Sequence, residues 1–230
     1  VWHRDLYDAT IVDAPDASLV GKSFGDVADA RGLHPVDAFL DLVVEYGSSL
    51  RWKTLIANHR PRKLERIVSH PTVHVSFADS GAHIRNMAFY NFPLYFLRTV
   101  KQAAERGEPM MTEAQAVHRV TGELADWYGV DAGHIRVGDR ADIAIVDPAG
   151  LDASLDAYHE APMEMLGGLP RMVRRNDAAV RATIVAGEVV YEAGRFVDGF
   201  GESRRYGSFL RAGERVAPAT RDASELAAAE

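Results

Sequence analysis

Residues 70–84 read HPTVHVSFADSGAHI. Val73, Val75 and Phe77 alternate with His74 and Ser76, the period-two pattern of a strand with two different faces. The run ends on Asp79, followed at once by Ser80, Gly81, Ala82 and His83. By parity Asp79 shares a face with Val75 and Phe77, so a carboxylate is expected at the tip of an otherwise apolar face. Small residues behind it would let the chain turn sharply and leave room beside the carboxylate. The plainer reading of such an aspartate is a turn former or a helix cap.

Working outward, residues 54–57 form a short apolar run bounded by polar residues, expected as a strand covered on both faces. Pro61 opens a short helix with Leu64, Ile67 and Val68 inward, stopped at His70-Pro71 because a residue before proline resists the helical region. Strand, helix, strand is the order that builds parallel sheet. Further upstream, Ser23 with Asp26 three residues on and Gly32 at the far end mark a short helix. Pro35 to Gly47 marks a second, with Val36, Phe39, Leu40 and Val43 at i, i+3, i+4 and i+7 expected to face a core.

Downstream, Asn91 is expected to cap a helix carrying Phe96, Leu97, Val100, Ala103 and Ala104, stopping at Gly107. Thr112 with Gln115 is a capping box, and Thr121-Gly122 separates that helix from a short piece ending at Gly129. After Gly129 the period becomes two. Ile135 and Val137 precede a Gly138-Asp139 turn, and Ala141, Ile143 and Ile145 follow it. Residues 180–184 and 189–191 flank Ala186-Gly187 as a hairpin. The expected organisation is residues 1–129 as one part, a β-rich module over 130–200 and a polar tail over 201–230.

Composition narrows the function classes. The 230 residues carry a net charge of −7, against the basic surface that nonspecific nucleic-acid binding needs. The absence of cysteine excludes a disulfide scaffold, a thiolate zinc site and a catalytic thiol. No run approaches the ~18 consecutive apolar residues of a membrane span, and a cytoplasmic protein is expected. Gly167-Gly168 reads as a turn without the strand-glycine-helix setting of a phosphate loop, so no nucleotide cofactor is implied. Arg171, Arg174, Arg175 and Arg181 read as a solvated face or subunit contact, which leaves oligomerisation open, and Met110-Met111 and Met163 with Met165 as packing.

Three stretches together, HPTVHVSFADSGAHI (70–84), TGELADWYGVDAGHIRVGDRADIAIVDPAG (121–150) and VRATIVAGEVVYEAGRF (180–196), resemble the carboxy-terminal part of the amidohydrolase superfamily, in the branch of N-acyl-D-amino-acid deacylases, or D-aminoacylases. The resemblance runs over roughly residues 35 to 200. It implies an α/β fold: the last strand-helix units of a metal-dependent (β/α)8 barrel, followed by a small β-sandwich segment. In such barrels the carboxyl ends of the strands carry the chemistry. The family places an aspartate at the tip of the last barrel strand, beside the metal, where it takes a proton from metal-bound water and passes it to the leaving amine. Asp79 matches that position, as a catalytic group and as a metal ligand, direct or through water. Ser80 and His83 would face substrate at the same mouth, although His83 also reads as a solvated loop residue. Many relatives have serine before this aspartate, where this chain has Ala78.

The resemblance implies one or two divalent ions, zinc in the first instance, a small N-acyl amino acid as substrate and the amino-terminal part of the same enzyme as partner. The nine histidines, at 3, 34, 59, 70, 74, 83, 118, 134 and 159, contain no His-x-His pair, so most metal ligands are expected outside this chain. His70 and His74 have i, i+4 spacing, but Pro71 between them points to structural or exposed roles. His59 could face the mouth, or simply end a strand. His3 with Asp5 or Asp8 lacks any supporting geometry. The chain, which starts at Val1, reads as a piece of a longer protein. A cyclic-amide hydrolase of the same superfamily and a non-catalytic scaffold remain the competing readings.

Overall fold

The structure is a computed structural model that describes residues 6–54, 57–78, 89–173 and 176–213. It is a mixed α/β fold in two compact units, residues 1–64 and 65–230.

In the first unit, strand β1 (Ala9–Asp13) pairs antiparallel with β2 (Arg51–Thr54). Between them lie helices α1 (Phe24–Arg31) and α2 (Pro35–Tyr46). The capping box expected for α1 is present. The Ser23 Oγ accepts from the Asp26 N–H at 3.0 Å, and the Asp26 carboxylate accepts from the Ser23 N–H at 2.8 Å and from its hydroxyl at 2.7 Å. Those bonds, the hydroxyl's first and the backbone's second, hold the Asp26 carboxyl below its ordinary pKa. The core gathers Ile11, Leu19, Phe24, Val27, Leu42 and Leu50. Within it Phe24 meets Phe39 and Trp52 edge to face, with centroids 5.0 and 5.7 Å away.

Helix α2 has the expected limits but a rotated face. Ala38 and Leu42 are buried, with Phe39, Val43 and Tyr46 packed partly against the core, whereas Val36 is 46% and Leu40 51% exposed. The strand expected over 54–57 is also displaced: β2 stops at Thr54, Lys53 is exposed and Trp52 is 37% exposed, and residues 55–56 lie outside the described residues.

The second unit begins within α3 (Pro61–Val68) and contains α4 (Phe92–Glu105), α5 (Glu113–Arg119) and α6 (Gly122–Tyr128). Thr112 and Gln115 form the capping box of α5, and Gly129 ends α6. Phe96, Val100 and Ala116 form a core cluster on which Val68, Val75 and Val120 pack. Asn91 precedes α4 but makes no capping bond with its side chain. Its amide donates instead to the Leu155 carbonyl at 3.3 Å and to Asn176 Oδ1 at 3.0 Å. Arg98 adds bonds to the Asp152 carbonyl and to Asp156, each at 2.8 Å, and Lys101 one to the Pro148 carbonyl at 2.8 Å. Polar side chains of α4 therefore tie it to residues 148–156, while Leu94 packs with Leu151, Leu155 and Ala179 beneath them.

Two antiparallel sheets complete this unit. One has the order β3-β6-β7-β8, built from β3 (Ile143–Val146), β6 (Val180–Val185), β7 (Glu188–Glu192) and β8 (Arg195–Phe196). The β6–β7 hairpin turns at Ala186-Gly187, with φ of 52° and 83°, the positive pair that matches strand twist in a two-residue turn. The register of β3 on β6 slips between Ile145 and Val146. The alternation therefore breaks there, leaving Ile145 47% exposed and bringing Val146 onto the Leu94 cluster. The expected strand before Gly138 is absent: Ile135 and Val137 are 85% and 97% exposed, outside any strand. A further hairpin pairs β4 (His159–Met163) with β5 (Leu169–Val173) across a turn containing Gly167-Gly168.

Every ladder between named strands is antiparallel. The parallel strand-helix-strand unit expected around α3 does not form among the described residues, because 51–54 pair with β1 and 73–78 lie in no strand. Among the described residues no helix is long and apolar enough to cross a membrane.

Candidate functional site

Asp79, Ser80 and His83 lie outside the described residues; what the structure gives is the run that leads to Asp79. After α3 the chain turns at 70–72. His70 Nδ1 faces the Thr72 N–H at 3.3 Å and the Thr72 hydroxyl at 2.9 Å, which accounts for its exposed, local role. Val73 donates its N–H back to the His70 carbonyl at 3.1 Å.

Two carbonyls at the start of the run, those of His70 and Val73, are held by a side chain. Arg119, the last residue of α5 and 9% exposed, donates from Nη2 to the His70 carbonyl at 3.2 Å and to the Val73 carbonyl. Glu123, one turn on in α6, sits 3.7 Å from Arg119 and 3.1 Å from His74 Nδ1. The His74 ring lies 5.1 Å from Trp127, which meets Tyr128 edge to face at 4.9 Å. Val75 packs onto the Phe96 cluster, while Phe77 is 82% exposed. Of the alternating run, Val75 is thus met by a helix cluster and His74 by Glu123 and Trp127, while Phe77 stays exposed.

Arg119 and Glu123 were not singled out by sequence. The available signal was an Arg–Glu pair at i, i+4 with the arginine three residues after the inward Ala116.

The other sequence candidates do not converge on this run. His59 is exposed beside Asn58, whose φ is 60°. His3 and Asp5 lie outside the described residues, and Asp8 is exposed. His134 pairs with Asp126 at 3.0 Å. Of the arginine cluster, Arg181 stands 3.9 Å from Asp147, and Arg174 and Arg175 are outside the described residues. Among the described residues no three His, Asp or Glu side chains gather where they could hold a metal ion. Asp79, the one metal ligand expected within this chain, lies outside the described residues.

No family model matches the chain. It is 53% identical over 228 residues to an uncharacterized protein of Mycobacterium tuberculosis, covering 97% of this chain and 37% of that protein. It is 28% identical over 184 residues to a 5-methylthioadenosine/S-adenosylhomocysteine deaminase of Haloarcula marismortui, covering 76% of this chain and 39% of the deaminase. The crystal structure of a D-aminoacylase, from a subset of amidohydrolases, superposes with a TM-score of 0.48 at 18% identity, over 88% of this chain and 37% of that one. The chain spans a little over a third of the length of the curated relatives it matches.

Proposed function

We propose that these residues are the carboxy-terminal portion of an amidohydrolase-type enzyme that hydrolyses a carbon–nitrogen bond, with Asp79 as its acid–base group. The observation that carries the reading is the run ending A-D-S-G-A-H at 78–83 followed by G-D-R-A-D-I-A-I-V-D-P at 138–148, in a chain that is also similar in sequence to deaminases. Deacylation and deamination share one need: water attacks carbon and nitrogen departs with a proton. A carboxylate serves both halves, accepting a proton from the attacking water and delivering one to the leaving nitrogen. Ser80 and His83 are assigned to contacts with substrate.

In this reading the remaining strand-helix units of a (β/α)8 barrel, and the residues that hold a divalent ion, belong to the rest of a longer protein. The β3-β6-β7-β8 sheet would be part of the small β-sandwich beside that barrel. The favoured substrate is an N-acyl-D-amino acid, whose amide would yield a carboxylic acid and a free amine. The similarity to 5-methylthioadenosine/S-adenosylhomocysteine deaminases favours a second reading, in which the leaving group is an exocyclic ring amine and the product is ammonia.

One assay separates them. The purified protein, as its gene encodes it, is incubated with N-acetyl-D- and L-amino acids and with adenosine derivatives, and primary amine and ammonia are quantified separately. Amine release from the D-series supports the first reading. Ammonia from the nucleosides supports the second, and turnover of neither contradicts both.

A further inference from the structure

Helix α2 holds a row of apolar side chains in solvent. Val36, Leu40 and Val44, at i, i+4 and i+8, are 46%, 51% and 86% exposed, while Ala38 and Leu42 on the opposite side are buried. Rows at i±4 are the ridges with which helices pack into one another's grooves. A single exposed apolar residue is ordinary, whereas a contiguous row of them marks a surface that something covers.

A second row runs beside the first. Asp37, Asp41 and Glu45, each one position on from an apolar residue, are exposed. Like charges at i, i+4 repel along a helix. Glu45 also falls in the last turn, at the negative end of the helix dipole, where α2 has no basic residue. It meets the neutral Tyr46 hydroxyl, and among the described residues no lysine or arginine pairs with any of the three carboxylates. An apolar ridge edged by unbalanced negative charge is complementary to a helix whose own ridge is edged by cations.

The size of the strip says where that helix comes from. Helix α2 has 12 residues, and at about 1.5 Å each it is about 18 Å long and about 10 Å wide. It therefore offers roughly 200 Å², well short of the about 800 Å² per partner of a stable interface between separate molecules. A segment tethered in the same polypeptide can seat on so small a strip, because the chain sets its effective concentration. The Mycobacterium tuberculosis relative aligns with these residues over 37% of its length, which leaves most of such a protein to supply the segment.

We propose that the Val36, Leu40 and Val44 row of α2 seats an amphipathic helix of the same polypeptide, from the part outside these 230 residues, with lysine or arginine set against Asp37, Asp41 and Glu45. The inference rests on the reading above that these residues belong to a longer protein, and not on the role of Asp79.

The test uses the protein as its gene encodes it, carrying Leu40→p-benzoylphenylalanine or Val44→p-benzoylphenylalanine, irradiated and then digested for peptide mass spectrometry. The expected product is a cross-link within one molecule, to a peptide outside these 230 residues that contains lysine or arginine at helical spacing. A link to a second copy, a link confined to these 230 residues, or no link at either position overturns the proposal. Charge is tested separately. Asp41→Lys is expected to quicken thermolysin cleavage in the linked helix at least about tenfold as that helix is released. Reversing the opposing cation to glutamate in the same molecule should restore the rate to within about threefold of the wild type. An unchanged cleavage rate in Asp41→Lys, or no rescue by the reversal, overturns the charge pairing. A gene product with only the 25.2 kDa mass of these residues overturns the longer-protein reading and this proposal with it. A longer product that links only as a dimer overturns this proposal alone.

Discussion

Replacing Phe24 by alanine removes the centre of the first unit. The ring is fully buried and makes edge-to-face contacts with Phe39 at 5.0 Å and Trp52 at 5.7 Å. Truncating a buried phenylalanine costs about 3–5 kcal/mol. Each aromatic pair adds about 0.5–1.5 kcal/mol beyond burial, which places this site in the upper half of that range, near 4–5 kcal/mol. A unit of 64 residues has, at about 0.05–0.15 kcal/mol per residue, roughly 3–10 kcal/mol in total. Phe24→Ala should therefore consume about two fifths or more of the unit's stability. Hydrogen exchange followed by mass spectrometry in increasing urea reads this directly, because peptides from β1 and α1 report the first unit and peptides from the β6–β7 hairpin report the second. The expected result is a collapse of protection in β1 and α1 with the hairpin unaltered. A loss below about 1 kcal/mol, the level of an ordinary surface change, would refute the claim that this aromatic trio organises the unit.

Two further substitutions probe local devices. Ser23→Ala should cost about 1 kcal/mol by removing the cap of α1, measured by urea denaturation. Because the Ser23 hydroxyl and N–H hold the Asp26 carboxyl below its ordinary value, Asp26 contributes stability that is complete above about pH 4 and is lost as pH falls through its lower folded-state pKa. Acid titration of α1 should show this loss in the wild type and its attenuation in Ser23→Ala. Gly150→Ala places a methyl group 2.2 Å from the Ala178 carbonyl oxygen, a backbone atom that must shift to admit it. It should lower the melting temperature, with about 1–3 kcal/mol lost to overpacking.

The features legible in the sequence are those whose cause is local. Ser23 with Asp26, and Thr112 with Gln115, satisfy helix N–H groups within one turn, so the residues announce the caps without any tertiary partner. Gly32, Gly47 and Gly129 end helices for equally local reasons, and Ala186-Gly187 sets a hairpin whose flanking strands are rich in valine and isoleucine. Features that depend on distant partners were misread or missed. The pairing of β1 with β2 joins residues about forty positions apart, and nothing in RWKT signals an antiparallel neighbour. The β4–β5 hairpin hides behind Pro162 and Pro170, which argue against a central strand yet are tolerated in a two-stranded ribbon that consists only of edges. The rotation of α2 follows from the packing of Ala38 and Leu42, while Val36 and Leu40, which a periodicity argument places inward, stay exposed.

For the site, the sequence marks Asp79 by its setting and leaves unmarked the arginine that holds the run before it. Arg119 acts on backbone carbonyls 46 and 49 residues away, and carbonyls are chemically the same at every position.

The proposed chemistry depends on a carboxylate at position 79 exchanging protons with the attacking water and the departing nitrogen. Its most direct test is the turnover number of Asp79→Asn on whichever amide or amine substrate the wild type hydrolyses, with unfolding curves run in parallel. The account predicts a fall of about 10²–10⁴ at unaltered stability; turnover within a few-fold of the wild type would contradict it.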